Sequence, residues 1–535
     1  MASGTDIGLA SGSSDATHIT GLGQTSVDYS ALITKMVAAE AVPEDAWITQ
    51  VNTVDGDVSA WSNVSSSMTA LTDSLDTLRS FELWNTMAVA TSDSTKLAAT
   101  STTSAIAGTY NMSISQLAQA ESVRSMAFTS ATADLSSEAG GTGVLTEGDQ
   151  FQIGGVTFTI GKNEYGQTDS GGAESLTSLA AKINYASSSM TAGEQVAASV
   201  VSASPTENYL VLSAANTGSA GIDSADTTGS ALQKLKILSS PGTGNNYTKV
   251  LIQGQDAKLS LDGISMSRSS NSGITDVING VSLNLLAPTT SVGTNGGTTD
   301  SPVTLTVSPD MNGVMTAIQT FISAYNAAAS EITTEGAVTL QTSTGNGATS
   351  TGTVSSTGQL YDDSLLTQLS VDIREQATAS KFPALNKTNA SYSYNGQTGI
   401  MCSLQDIGIG TTGESNQLSI IDQNKLDNGL QNYFNKVEQL FTGTYNPQNG
   451  YQNGVASDFY NYAYGMSEPQ AGEIAQHVQT LNNQKSDLQT EISNWNDYLN
   501  VYTTNLWSQF TTMDNAMTTM QSSLSTLQGI TGLTT

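Results

Sequence analysis

From Ile474 onward the sequence carries one apolar stripe at helical spacing: Ile474, Val478, Leu481, Leu488, Ile492, Trp495, Leu499, Tyr502, Leu506, Phe510, Met513, Met517, Met520, Leu524 and Leu527. Lys485 holds the stripe position between Leu481 and Leu488. Steps of three and four alternate, as in a heptad seam, and the two consecutive steps of four from Tyr502 through Leu506 to Phe510 read as a stutter. A helix of this length reaches roughly 80 Å, beyond the usual globular helix. It has no way to bury its stripe on itself, so it demands a partner, as a coiled coil or a long intersubunit helix.

The other end of the chain offers one. After Trp47, apolar residues fall at Val51, Val54, Val58, Trp61, Val64, Met68, Leu71, Leu75, Leu78 and Phe81, again in threes and fours, with a local irregularity around Trp61. Ahead of it, Val27 to Ala41 reads as a shorter helix with Leu32, Ile33, Met36 and Val37 on one face. Pro43 interrupts that helix, and a new one begins just after it, with Glu44 and Asp45 suited to its first turn. Val51, Val54, Val58 and Val64 are stiff side chains with weak helix propensity. Packing must therefore supply the stability, and the two ends are expected to meet. The three methionines Met513, Met517 and Met520 read as flexible core filling.

Between the ends the period changes to two. Tyr110 to Ser115, Phe151 to Ile153, Val156 to Ile160, Asn208 to Ser213, Lys258 to Ile264 and Gly280 to Leu286 read as strands, with Gly154-Gly155 a hairpin turn. Leu176 to Asn184 reads as a short helix burying Leu176, Leu179, Ala180 and Ile183. Residues 218–229, 239–246 and 291–301 read as loops, and 335–358 as a long flexible insertion. Helical spacing returns at Val314, Ile318, Phe321, Ile322 and Tyr325, near Asp363–Glu375, and near Asn424–Leu440. Residues 1–25 read as disordered.

Charge narrows the function. Lys plus Arg total 17 against 47 Asp plus Glu, a net charge of −30 although only 12% of residues are charged. A nucleic-acid binder needs a basic footprint, and anionic lipid is disfavoured for the same reason. No apolar run of about 18 residues exists to span a membrane, and Met1 to Thr20 lacks the basic and apolar regions of a secretory signal peptide. Cys402 is the only cysteine, without a basic neighbour, and reads as a small buried hydrophobe. Gly408-Ile-Gly-Thr-Thr-Gly413 matches a dinucleotide-binding pattern by letter, but the strand-like Gln417-Leu-Ser-Ile-Ile follows it, so it reads as a hairpin loop. Of the two histidines, His18 lies in the disordered start and His477 reads as solvent-facing beside the stripe. Asp362-Asp363 reads as a cap or solvated face. No catalytic, cofactor or metal site emerges, and the chain does not read as an enzyme.

Several segments resemble the flagellar filament cap (FliD, hook-associated protein 2) family. They are Ile19-Thr-Gly-Leu-Gly23, Leu32 to Val42 with its ending Ala38-Ala-Glu-Ala-Val-Pro43, and Gly108 to Ala120. Lys182-Ile-Asn184 is similar to the hook IN motif. Gly254 to Ala257, Leu261 to Gly263, Asn271 to Gly273 and Asp276 to Val281 resemble the family's head segment, Phe321 to Asn326 one of its helices, and Leu404 to Ile409 with Leu418 to Asp422 its late hairpin. The low charge and the polar stretches 335–358 and 380–400 depart from the family pattern.

The resemblance implies an α+β multidomain protein, with terminal helices forming a coiled coil and helical bundle and with inserted β-rich head domains. The expected divisions are 1–45 and 471–535 for the terminal helices, 46–90 and 311–470 for a helical leg, 91–130 and 246–310 for one head domain and 131–245 for a second. It further implies a homo-oligomer, often a pentamer in the family, at the extracellular tip of a flagellum. The partners would be flagellin, hook–filament junction proteins and an export chaperone at the C-terminal helix, after export by the flagellar type III apparatus. A surface adhesin acting through the head, or another axial protein of the flagellum, is the alternative.

Overall fold

A computed structural model describes residues 29–531 except 137–142, 163–173, 241–245, 293–297, 343–351, 381–390, 395, 412–415 and 447–449. The expected disordered start, with His18, lies outside the described residues. The chain forms two compact units, one from residues 1–80 and 315–535 and one from 81–314.

The first unit is mostly helical. Tyr29–Glu40 is followed by Val42–Arg79, with Pro43 in the first turn where a missing N–H costs nothing, and Glu44 and Asp45 behind it. Phe81 does not belong to this helix: the helix stops at Arg79 and Phe81 is 75% exposed. Trp61, Val64, Met68, Leu71, Leu75 and Leu78 are fully buried. An aromatic cluster anchors the core, with Phe459 edge-on to both Phe321 and Tyr325 at 6.1 Å. Ser364–Thr378 is helical because Asp363 caps it, its carboxylate accepting from the Leu365 N–H at 2.8 Å.

The helix expected over Asn424–Leu440 is instead two, Gln423–Asn432 and Phe434–Thr442. Tyr433 breaks it in a non-helical conformation (φ −136°, ψ 32°), and its hydroxyl accepts from the Ser393 N–H. The stretch read as a flexible insertion contains a hairpin, Val338–Thr342 paired with Gly352–Thr357, because its Thr and Val residues favour strands despite their polar neighbours. The dinucleotide-like letters open a hairpin, as expected: Ile409–Thr411 pairs with Leu418–Ile420. Gly408 turns into it at φ 81°, where a Cβ would lie 2.2 Å from the Asp422 carbonyl oxygen. Asn326 fastens this hairpin, donating to the Leu418 carbonyl (2.8 Å) and accepting from the Leu418 N–H (2.7 Å).

The second unit holds two hydrophobic cores. The first lies under a five-stranded antiparallel sheet, Met87–Thr91, Val303–Pro309, Gly108–Gln116, Ala257–Leu261 and Ile264–Arg268 in spatial order, and a three-stranded sheet of Ile274–Ile278, Val281–Leu285 and Leu97–Ser101. Met112, Ile114, Leu259, Leu283 and Leu305 fill it, each from alternate strand positions. The chain leaves this core and returns to it through Gln119 and Gln255, which exchange backbone hydrogen bonds at 2.8 and 3.1 Å.

Between those two residues lies the second core. Val250–Ile252, Ser122–Arg124, Glu207–Ala214 and Val196–Ser204 form one sheet, and Val156–Thr159, Gln150–Ile153 and Ser224–Thr228 another. Leu176–Ala186 packs Leu176, Leu179 and Ile183 into this core. Asn184, singled out in the sequence, locks that helix to a strand: its amide donates to the Ala198 carbonyl and accepts from the Ala198 N–H, both at 2.8 Å. Two stretches read as loops carry strands instead. Ser224–Thr228 lies within 218–229, and Thr290–Val292 pairs with Thr298–Asp300 within the expected linker.

Candidate assembly interface

Glu473–Thr531 is one helix, about 90 Å long. It runs antiparallel to Val42–Arg79 and then to Tyr29–Glu40, as a series of side-chain pairs shows. His477 meets Trp61 edge-on at 5.3 Å, and Lys485 is paired with Asp55 at 2.5 Å. Trp495 packs edge-on against Trp47 at 5.7 Å, and Phe510 lies 5.0 Å from Tyr29.

The residues expected along the seam differ in burial. Ile474, Leu488, Leu499 and Leu506 are buried. Val478, Leu481, Ile492, Trp495, Tyr502, Phe510 and Met517 are half-buried. On the facing helix, Val54 and Trp61 are buried and Val51 and Val58 half-buried, whereas Met68, Leu71, Leu75 and Leu78, expected in the same seam, are buried along the stretch that lies beside Val455–Ser467, where Thr72 meets Ser467 and Arg79 covers Tyr460. Beyond Phe510 the stripe opens: Met513 is 40% exposed, Met520 65%, Leu524 49% and Leu527 58%. Among the described residues, Met513 and Met520 therefore fill no core and only Met517 is half-buried, because the first described helix begins at Tyr29 and Phe510 already stands opposite that residue.

Polar groups fix the register in ways that spacing does not reveal. His477 does not face solvent; it lies within hydrogen-bonding distance of Asp363 (3.0 Å), whose same carboxylate oxygen accepts from the Trp61 indole at 3.1 Å. Glu44, in the first turn as expected, is buried and accepts from the Asn496 amide at 2.8 Å. At the break before Pro43, the Trp495 indole donates to the Glu40 carbonyl (3.2 Å) and the Tyr498 hydroxyl to the Glu40 carboxylate (3.2 Å). The helix terminus there thus gains a side-chain donor for one of its free carbonyls. Spacing had no signal for these partners, since each pair is more than 100 residues apart in the chain.

The thiol of Cys402 is half-buried rather than buried, and it contacts Ser380 and Asp406. Burial pushes its pKa up, away from thiolate chemistry. Among the described residues no cluster of His, Cys, Asp and Glu could hold a metal ion, and no helix is long and apolar enough to cross a membrane.

Comparison with known proteins accords with this arrangement. Residues 254–522, more than half of the chain, match the family Flagellar hook-associated protein 2 C-terminus, and residues 25–121 match Flagellar hook-associated protein 2 N-terminus. The A-type flagellar hook-associated protein 2 of Pseudomonas aeruginosa is 26% identical over 443 residues, covering 78% of this chain and 79% of that one. The B-type protein of the same species is 26% identical over 485 residues, covering 87% and 89%. Among solved structures, the D1-D2-D3 domains of the flagellar cap protein FliD from Escherichia coli superpose with a TM-score of 0.51 at 21% identity, over 79% of this chain and 99% of that one, and show the same fold. The two family matches, one at each end of a chain whose ends pack on each other, make this protein a member of the flagellar hook-associated protein 2 (FliD) family.

Proposed function

We propose that this protein caps the flagellar filament, sitting as a homo-oligomer at the tip and promoting the folding and polymerisation of exported flagellin. The observation that carries this reading is the pairing of the two family matches with an apolar stripe left open from Met513 to Leu527. A long helix that leaves four large apolar residues exposed is suited to ordering against a partner in an assembly. The seam residues, with that exposed extension, are our candidates for the intersubunit, flagellin or hook–filament junction contact. The C-terminal helix is equally suited to an export chaperone. Export by the flagellar type III apparatus and a pentameric ring follow the family expectation. We retain the division of the chain into paired terminal-helix, leg and head segments, with an additional inserted head domain, as part of the proposal.

Deleting the gene tests the reading. Cells are expected to carry hooks without filaments and to release abundant monomeric flagellin into the medium. Full-length filaments on such cells would reject an essential capping role.

A further inference from the structure

On one face of the helical unit, Val42–Arg79 and the antiparallel helix Val455–Ser467 present the same pair of groups twice. At the first position a cation is already seated. Arg79 lies over the Tyr460 ring, its Cζ 3.7 Å from the ring centroid, and its guanidinium is 2.7 Å from Asp76. One turn back along the first helix stands Asp73, and one turn on along the second stands Tyr464. The Tyr464 ring is parallel to that of Tyr460 (10°, centroids 5.7 Å apart) and 47% exposed. Asp73 is exposed, and its carboxylate meets no cation among the described residues.

These groups line a shallow groove of about 140 Å³ together with Thr69, Thr72, Glu468 and Pro469. That is the space of roughly four or five waters in the liquid, the scale of a guanidinium with the end of its stem. The Glu468 carboxylate is held at one end of the groove by the N–H groups of Gln470 and Ala471.

We propose that Asp73 and Tyr464 form a docking site for an arginine side chain of a partner protein. The filled position supplies the template: a carboxylate to accept the guanidinium fork and a ring face to stack on. Arginine suits it better than lysine, whose ammonium is more strongly hydrated and has no plane to stack. The occupant is a cationic foreign chain, which a net charge of −30 draws to this surface. Of the four arginines in this sequence, Arg79, Arg124 over Tyr209 and Arg268 with Asp276 are already held by their own chain, which leaves the exposed Arg374 as the one that a second copy could offer. The inference goes beyond the capping function and does not depend on it, because the binding is read on the isolated protein.

The test uses the full chain labelled with 3-fluorotyrosine. The Tyr464 fluorine resonance is assigned by its loss in Tyr464→Phe, and the protein is titrated with N-acetyl-arginine amide. We expect a saturable shift of that resonance, weaker by about two- to fivefold for the lysine amide. It should be lost in Asp73→Asn and in Asp73→Lys, and kept in Asp497→Asn, which removes the same charge from an exposed site elsewhere. A non-saturating drift shared with the exposed Tyr445 and Tyr451, or an equal response in Asp73→Asn and Asp497→Asn, would overturn the assignment.

Discussion

Tyr325 is a residue whose position is dictated by packing alone. Its ring completes the aromatic cluster with Phe321 and Phe459, yet its buried hydroxyl has no hydrogen-bond partner among the described residues. Burial pushes its pKa up to about 12. An orphaned buried hydroxyl costs free energy, so Tyr325→Phe is expected to raise stability by about 1 kcal/mol in urea unfolding. The raised value also fixes a pH dependence. The unfolded chain releases this proton near pH 10 and the folded chain only near 12. The contribution of the neutral phenol is fully present below pH 10 and is lost as the pH rises through about 12. The alkaline fall in stability should be shallower in Tyr325→Phe, and an unchanged fall would remove Tyr325 from that account. Asp363 shows the opposite economy, since one carboxylate caps a helix and also serves Trp61 and His477.

At the scale of elements, the long C-terminal helix is two different objects along its length. Up to Phe510 it has a facing helix, and Leu488, Leu499 and Leu506 are buried. From Met513 on, the stripe is exposed at Met513, Met520, Leu524 and Leu527. Leu488→Ala should therefore cost about 2–5 kcal/mol through lost burial and a residual cavity. Met520→Ala should stay within about 0.5 kcal/mol in the isolated protein. Helical circular dichroism during urea unfolding of the two variants separates them. Equal losses would mean that the tip of the helix is covered in the free subunit. Lys485 within the stripe is tolerated because Asp55 reaches it from the facing helix. The pair is partly exposed, so it contributes to register more than to stability.

The whole molecule carries a net charge of −30, which bears directly on assembly. Like-charged subunits repel across a range set by a Debye length of about 8 Å at physiological salt. Oligomerisation is therefore expected to strengthen as salt rises, which sedimentation equilibrium across a salt series would measure. A flat or inverse dependence would show that the interface is locally charge-complementary. The charge also makes cationic partners the favourable ones, in keeping with the exposed carboxylate and ring at Asp73 and Tyr464.

Periodicity by itself determined the main elements of this protein. The three-and-four spacing of the Trp47–Leu78 and Ile474–Leu527 stripes, the break at Pro43 and the period-two strands around Tyr110, Phe151 and Lys258 are local patterns, and the chain folds as they dictate. Composition misled where it stood in for pattern. The Thr- and Val-containing hairpin within 335–358 and the Thr290–Asp300 hairpin are polar, and strand pairing rather than apolar content forms them. Only the tertiary structure decided what the polar residues do. Asp363 joins Trp61 and His477, Glu44 is buried under Asn496, and Tyr464 lines one groove with Asp73, from segments more than 100 residues apart. The physical reason is range. A helical or strand stripe is written in neighbours three, four or two residues away, whereas a hydrogen bond or a stacked cation depends on which distant segment the packing brings within a few ångströms.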